Sequence, residues 1–124
     1  KGAPGRALAF HTSGLAGMQR DLAAAITPSG RIDQNAAERL ISKATGTDSH
    51  QARAVLFDMM AGESARRARQ AAGSGQAVPA GQWADTSRRI TSLAREAETL
   101  YLDPRQSLLA AFSLLEDAAR QPAG

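Results

Sequence analysis

The chain has 124 residues with no cysteine, 43% hydrophobic and 4% aromatic side chains, and a formal net charge of +3. The length suits one domain with one core; the missing cysteines exclude disulfides, thiolate metal sites and a catalytic thiol. Abundant alanine with few β-branched residues favours helix over sheet, because alanine loses no side-chain entropy in a helix.

Segment A covers about Arg6 to Ile26. Leu8, Leu15, Met18, Leu22 and Ile26 recur at helical spacing and stripe one face. Thr12-Ser13-Gly14 is a point of interruption, with Ser13 as the N-cap of a shorter helix. Thr27-Pro28-Ser29-Gly30 is a turn. Segment B covers about Gln34 to Ala44, with Asp33 as N-cap and Ile32 placed to staple onto Ala37. Leu40 and Ile41 are its core residues, and Gly46 suits the left-handed position after its end. Segment C covers about Ser49 to Ala72 and opens on a capping box, Asp48 to Gln51. Ala52, Val55, Leu56, Met59 and Met60 form its apolar stripe. Beyond Gly62 the stripe fades into Ala65-Arg-Arg-Ala-Arg69, which predicts solvated last turns.

Ala71 to Gln82 is rich in glycine and reads as a flexible loop. Segment D covers about Asp85 to Leu102, with Ile90, Leu93, Ala97, Leu100 and Tyr101 on its inner face. Segment E opens at Asp103-Pro-Arg-Gln106, with Asp at the cap and Pro at the first helical position. Leu108, Leu109, Phe112, Leu115 and Ala119 stripe it. No segment alternates with period two over six residues. The expected fold is all-α, an antiparallel bundle of four to five helices in one domain. Its expected core includes Leu15, Met18, Leu22, Leu40, Val55, Leu56, Met59, Leu93, Leu100, Leu108, Phe112 and Leu115. The start at Lys1-Gly-Ala-Pro-Gly5 lacks an initiator methionine and reads as the edge of a piece of a larger protein. Arginine outnumbers lysine thirteen to two, a composition associated with GC-rich bacterial genes.

Three local resemblances arise. Ser29-Gly-Arg-Ile-Asp33 is similar to the middle of an EF-hand loop, but the bidentate position is Ala36 and upstream ligand positions are Ala25 and Thr27. Glu38 to Met60, about a fifth of the chain, is similar to the helix–turn–helix that opens HU-type DNA-binding proteins. The β-arms that contact DNA in that family have no counterpart here. Asp103-Pro-Arg-Gln-Ser-Leu-Leu and Leu115-Glu-Asp-Ala118 resemble a helix near the start of polyketide ketosynthases, with no room after it for the thiolase fold.

The chemistry-bearing residues are sparse. His11 and His50 each lack a second ligand at helical spacing, so no metal is expected. Glu96 and Glu98 point to different faces, and Glu116 and Asp117 are adjacent. No nucleophile, base and orienting group share one face, so no enzyme activity and no cofactor are expected. No apolar run reaches the length of a membrane span, and no secretory signal is visible.

The net charge is concentrated. Ala61 to Ser92 holds Arg66, Arg67, Arg69, Arg88 and Arg89 against Glu63 and Asp85, while ten basic and ten acidic residues balance elsewhere. With segments C and D antiparallel, both arginine groups are expected at one end, around the glycine loop and an exposed Trp83. Trp83 also reads as a hydrophobic lid over that end, and the arginines as solvated surface. The expected function is a docking or targeting module of a larger bacterial protein. It would bind a protein partner through Arg66, Arg67, Arg69, Trp83, Arg88 and Arg89. Anionic membrane is the alternative, as in the architecturally similar bundles that target toxins and effectors to host membranes. Nucleic acid ranks third. An alanine-rich core can pair with a second copy, so a homodimer is open. Either the cytoplasm or delivery into a host cell fits.

Overall fold

A computed structural model describes residues 17–27, 31–45 and 50–120, all within an α-helical bundle without strands among them. The first helix, α1, is helical over 17–25. It is followed by α2 (Gln34–Ala44), α3 (His50–Gly73), α4 (Ala77–Thr99) and α5 (Pro104–Arg120). Ser13, Leu15, Gly46, Asp48 and His11, for which the sequence gives expectations, lie outside the described residues.

The two aspartate caps are formed. Asp33 accepts from the amides of Asn35 and Ala36 at 3.0 and 3.3 Å, satisfying donors that the first turn of α2 leaves free. Asp103 accepts from the Gln106 amide at 2.9 Å, while Pro104 occupies a position whose amide would have no partner. Between α1 and α2 the chain doubles back through an Ile26–Ile32 bridge, and the Asp33 amide donates to the Ala25 carbonyl at 2.7 Å. Both isoleucines are thereby buried. Ala25 and Ala36, at the ligand positions of the EF-hand-like stretch, are core residues, and its Ile32 is buried with them.

The glycine-rich stretch is not a loop. Only Ser74-Gly75-Gln76 separates α3 from α4, and α4 begins eight residues earlier than the apolar pattern indicates. Pro79 falls in the first turn of α4, where a missing amide hydrogen costs nothing. Gly75 takes a φ of 77°, and the Gln76 amide donates to the Ala71 carbonyl at 2.8 Å, which closes the reversal. The outcome is a rigid helical hairpin.

The last turns of α3 are packed rather than solvated on their inner side. Ser64 is fully buried, Ala71 is buried, and Ala68 is partly buried against the core. Ser64 donates to its own helix at the Met60 carbonyl, and Ser87 of α4 donates across to the Ala61 carbonyl at 2.8 Å. The inner face continues in small residues, so hydropathy loses sight of it while the helices stay close.

The core joins Met18 and Leu22 of α1, Leu40 and Ile41 of α2, Leu56 and Met60 of α3, Ile90 of α4, and Leu108, Phe112 and Leu115 of α5. Met59 and Leu93 pack against it partly buried, and Val55 is half-buried. Leu100 departs from expectation: it caps α4 and is 61% exposed, with Tyr101 at 92%. The Asp103-Pro104 cap stops α4 before those two residues complete another turn of the inner stripe. Arg105 holds Glu38 through both carboxylate oxygens at 2.8 Å, and the Ile32 amide donates to Glu116 at 3.4 Å, so α2 and α5 run antiparallel.

Candidate functional site

The α3–α4 hairpin carries the five arginines singled out by charge together with Trp83, and its register decides how they meet. In an antiparallel pair closed by three residues, Arg67 faces Trp83, and the Arg67 guanidinium carbon lies 5.3 Å from the indole centroid. The Ser87–Ala61 hydrogen bond places Arg88 and Arg89 level with Met60 and Met59. That is about six to seven residues further from the turn than Arg66 and Arg67, roughly 9–10 Å along the axis. The two arginine groups therefore sit at different heights along the hairpin and do not converge on its end.

Each group is bound by its own carboxylate. Glu63 accepts from Arg66 at 2.6 Å and from Arg67 at 2.7 Å. Asp85 pairs with Arg88 at 3.4 Å and with Arg89 at 2.8 Å. These are the three- and four-residue spacings at which helix side chains are neighbours. Arg69 forms no ion pair among the described residues. The +3 of the hairpin is thus spread over three places.

Glu63 is the most enclosed of these groups, its side chain only 14% exposed. Burial pushes its carboxyl upward, but the hydrogen bonds and charges of Arg66 and Arg67 outweigh that and hold it below the ordinary carboxylate range. The hydrogen bond and charge of Glu63 in turn raise Arg66.

Trp83 is not an exposed aromatic. It is 8% exposed and belongs to the hydrophobic core. Gln82 and Asp85 lie opposite Asp117 and Ala118 near the end of α5, so the hairpin overhangs α5 by about a turn and a half. Trp83 sits at that edge and closes the bundle. Under the overhang lies an open groove of about 280 Å³, with Trp83 and Ala71 on its floor and Arg67, Gln70 and Pro79 on its walls. Arg89 instead lines a cleft between α4 and α5. Arg66, Arg69, Arg88 and Arg89 are exposed; the structure brings Arg67 onto Trp83 with Arg66 beside it on the shared Glu63, and places Arg88 and Arg89 on a separate carboxylate, Asp85.

A further surface was not found by charge or motif. Leu100, Tyr101 and Leu102 are consecutive and 61%, 92% and 40% exposed, at the corner between α4 and α5. Tyr101 holds a φ of 53°. The signal lay in the cap: a helix starting at Asp103-Pro104 leaves three apolar residues with no helix to belong to. A second groove of about 260 Å³ runs between α3 and α4 beside Phe57, walled by Arg53, Asp58 and Arg95.

Among the described residues, no three His, Asp or Glu side chains come together as a metal site, and no helix is long and apolar enough to cross a membrane. The chain matches no protein-family model, no curated protein and no solved structure.

Proposed function

We propose that this chain is a non-enzymatic docking module that receives an acidic protein surface on the α3–α4 hairpin. The observation that carries this reading is the Arg67–Trp83 stack, which opens onto a groove beside the hairpin turn. An arginine fixed by Glu63 and by an aromatic face is pre-organised, so little side-chain freedom is lost when a carboxylate arrives. Arg66 and Arg69 add positive charge around it, and the apolar floor favours a side chain over a bare ion. The buried polar side chains among the described residues are hydroxyls, of Ser64, Thr86 and Ser107. Ser64 and Ser107 donate to carbonyls one turn back, which occupies them structurally.

Trp83 emission tests the reading, because a carboxylate bound at Arg67 alters the field at the indole 5.3 Å away. Polyglutamate is expected to shift it at low salt, with a response weakened at least about tenfold in Arg69→Glu/Arg88→Glu. Anionic vesicles and duplex DNA form the other arms. A stronger response to either than to polyglutamate would replace the protein-docking reading with membrane or nucleic-acid binding. No response to polyglutamate, or one untouched by the charge reversals, would end it.

A further inference from the structure

We propose that the hairpin groove of one molecule receives the α4–α5 corner of a second copy, in a head-to-tail contact. This rests on the reading of the hairpin as a receiver of acidic protein surface and names its partner. The argument starts at the corner. Three consecutive large apolar side chains stand in water at Leu100, Tyr101 and Leu102, whereas large side chains elsewhere among the described residues are mostly packed. Tyr101 is held out by a left-handed backbone conformation that non-glycine residues rarely adopt. Strained backbone positions cluster at ligand clamps and switch regions, and contiguous exposed apolar side chains mark interaction sites.

The charge around the corner gives the occupant. From Arg95 to Arg105 the chain carries Glu96, Glu98 and Asp103 against Arg95 and Arg105, and Glu38 sits on Arg105, so the corner gathers four carboxylates to these two guanidiniums. Carboxylates are in excess here, while the hairpin carries +3. The corner is thus an apolar projection with an acidic rim. The groove beside the turn is a recess with an aromatic floor, Trp83, and a basic wall, Arg67. The two features complement each other in shape and in sign. A corner-to-corner pairing would instead bring two acidic rims together.

The geometry sets the symmetry. α4 spans 23 residues, about 35 Å, with the turn at one end and the corner at the other. A molecule cannot close this contact on itself. A second copy lying antiparallel makes it twice, groove to corner and corner to groove, in a two-fold dimer, whereas a parallel copy makes it once and leaves one groove and one corner free for further copies. Three side chains fall short of the area a permanent dimer buries, so the contact is weak, dependent on concentration and, through its charges, on salt.

Sedimentation velocity of the full chain from micromolar to millimolar concentration tests this. Two double variants keep the fold. Leu100→Gln/Tyr101→Asn removes the corner with a residue that tolerates the left-handed position. Gln70→Glu/Gln76→Glu places two carboxylates at the groove, on exposed positions, one of them at the start of α4 where negative charge is favourable. The wild-type chain is expected to associate at low salt, into a dimer or beyond, and to dissociate at high salt. Each variant alone is expected to associate at least about tenfold more weakly, and their equimolar mixture to recover a dimer that stops at two. A monomeric wild-type chain, a groove variant that associates like wild type, or a mixture without recovery would each overturn the contact. If polyglutamate still shifts Trp83 emission in that event, the hairpin reading stands and only the second copy as its partner falls.

Discussion

Tyr101→Gly is expected to stabilise the fold while removing a surface feature. Leu100 caps α4, its amide donating to the Glu96 carbonyl at 2.8 Å, and the Leu102 amide reaches back to the Ala97 carbonyl at 3.0 Å. That pattern of return bonds needs a left-handed residue between them, which Tyr101 supplies at φ 53°. A side chain there costs about 1–2 kcal/mol. Glycine relieves that cost but gives the unfolded chain more freedom, worth roughly 0.5–1 kcal/mol. Because Tyr101 is 92% exposed, its loss forfeits almost no buried area. The net gain is about 0.5–1 kcal/mol, or roughly 2–4 °C in Tm for a chain of this size. Calorimetry at low protein concentration reads it free of self-association. Leu102→Gly, at a neighbour without positive φ, serves as the control and should lower Tm. A Tyr101→Gly variant that melts below wild type would refute the strain, and with it the claim that the fold holds this aromatic outward against its backbone preference.

Three further substitutions probe the hairpin. Trp83→Ala should cost about 3–5 kcal/mol in urea unfolding, as large aromatic truncations in a core do; a cost near 1 kcal/mol would mean that the indole is not a packed lid. Glu63→Gln should lose about 1 kcal/mol at neutral pH. Because the carboxyl lies below its ordinary range when folded, the stabilisation it brings is present above the unfolded value and disappears as pH falls through the folded one. The variant and wild type should therefore converge in acid, and a constant gap down to the most acidic pH tested would contradict the assignment. Gln82→Met should gain about 1 kcal/mol, because the Gln82 Oε1 is buried without a hydrogen-bond partner; a loss in thermal denaturation would show that a partner exists.

The legible parts of the fold were those written in local chemistry. Asp33 and Asp103 announce helix starts because a carboxylate before a free first turn has one favoured use, and α2 and α5 begin where they indicate. The start of α4 was hidden because Gly73, Gly75, Pro79 and Gly81 read together as a loop, although only Gly75 takes a conformation that requires glycine. Its other residues extend helices whose cost is met by packing along the hairpin. Leu100 and Tyr101 continued an apolar period that tertiary structure does not use, since the cap at Asp103 stops the helix first. Charge concentration in the hairpin was legible from composition, whereas its convergence depended on register. That register follows from a turn of three residues, which the glycine content concealed. Burial of Trp83 has the same origin, because the short turn sets the indole at the edge of α5 rather than at the tip. The pairing of Glu63 with Arg66 and Arg67, and of Asp85 with Arg88 and Arg89, was readable from spacing alone.

That pairing limits what an electrostatic partner gains. Five arginines on one hairpin suggest a strong anion site, but Glu63 and Asp85 each cancel one of them. What remains is three unit charges: one at the Glu63 cluster, one at Arg69 a single turn away on α3, and one at the Asp85 cluster further along the hairpin, each screened beyond about 8–10 Å in physiological salt. A phosphate backbone tracking the hairpin can release counterions for three charges, not five, unless it displaces both carboxylates. Glu63, enclosed and accepting three hydrogen bonds from Arg66 and Arg67, resists displacement. The slope of log K against log salt for duplex DNA should then be no steeper than about −2.7, the value for three neutralised phosphates. A slope near −4.5 would show all five arginines engaged and would favour nucleic acid over protein. A shallow slope, together with a Trp83 response to acidic polypeptide, is what a contact built on one fixed arginine over an aromatic floor produces.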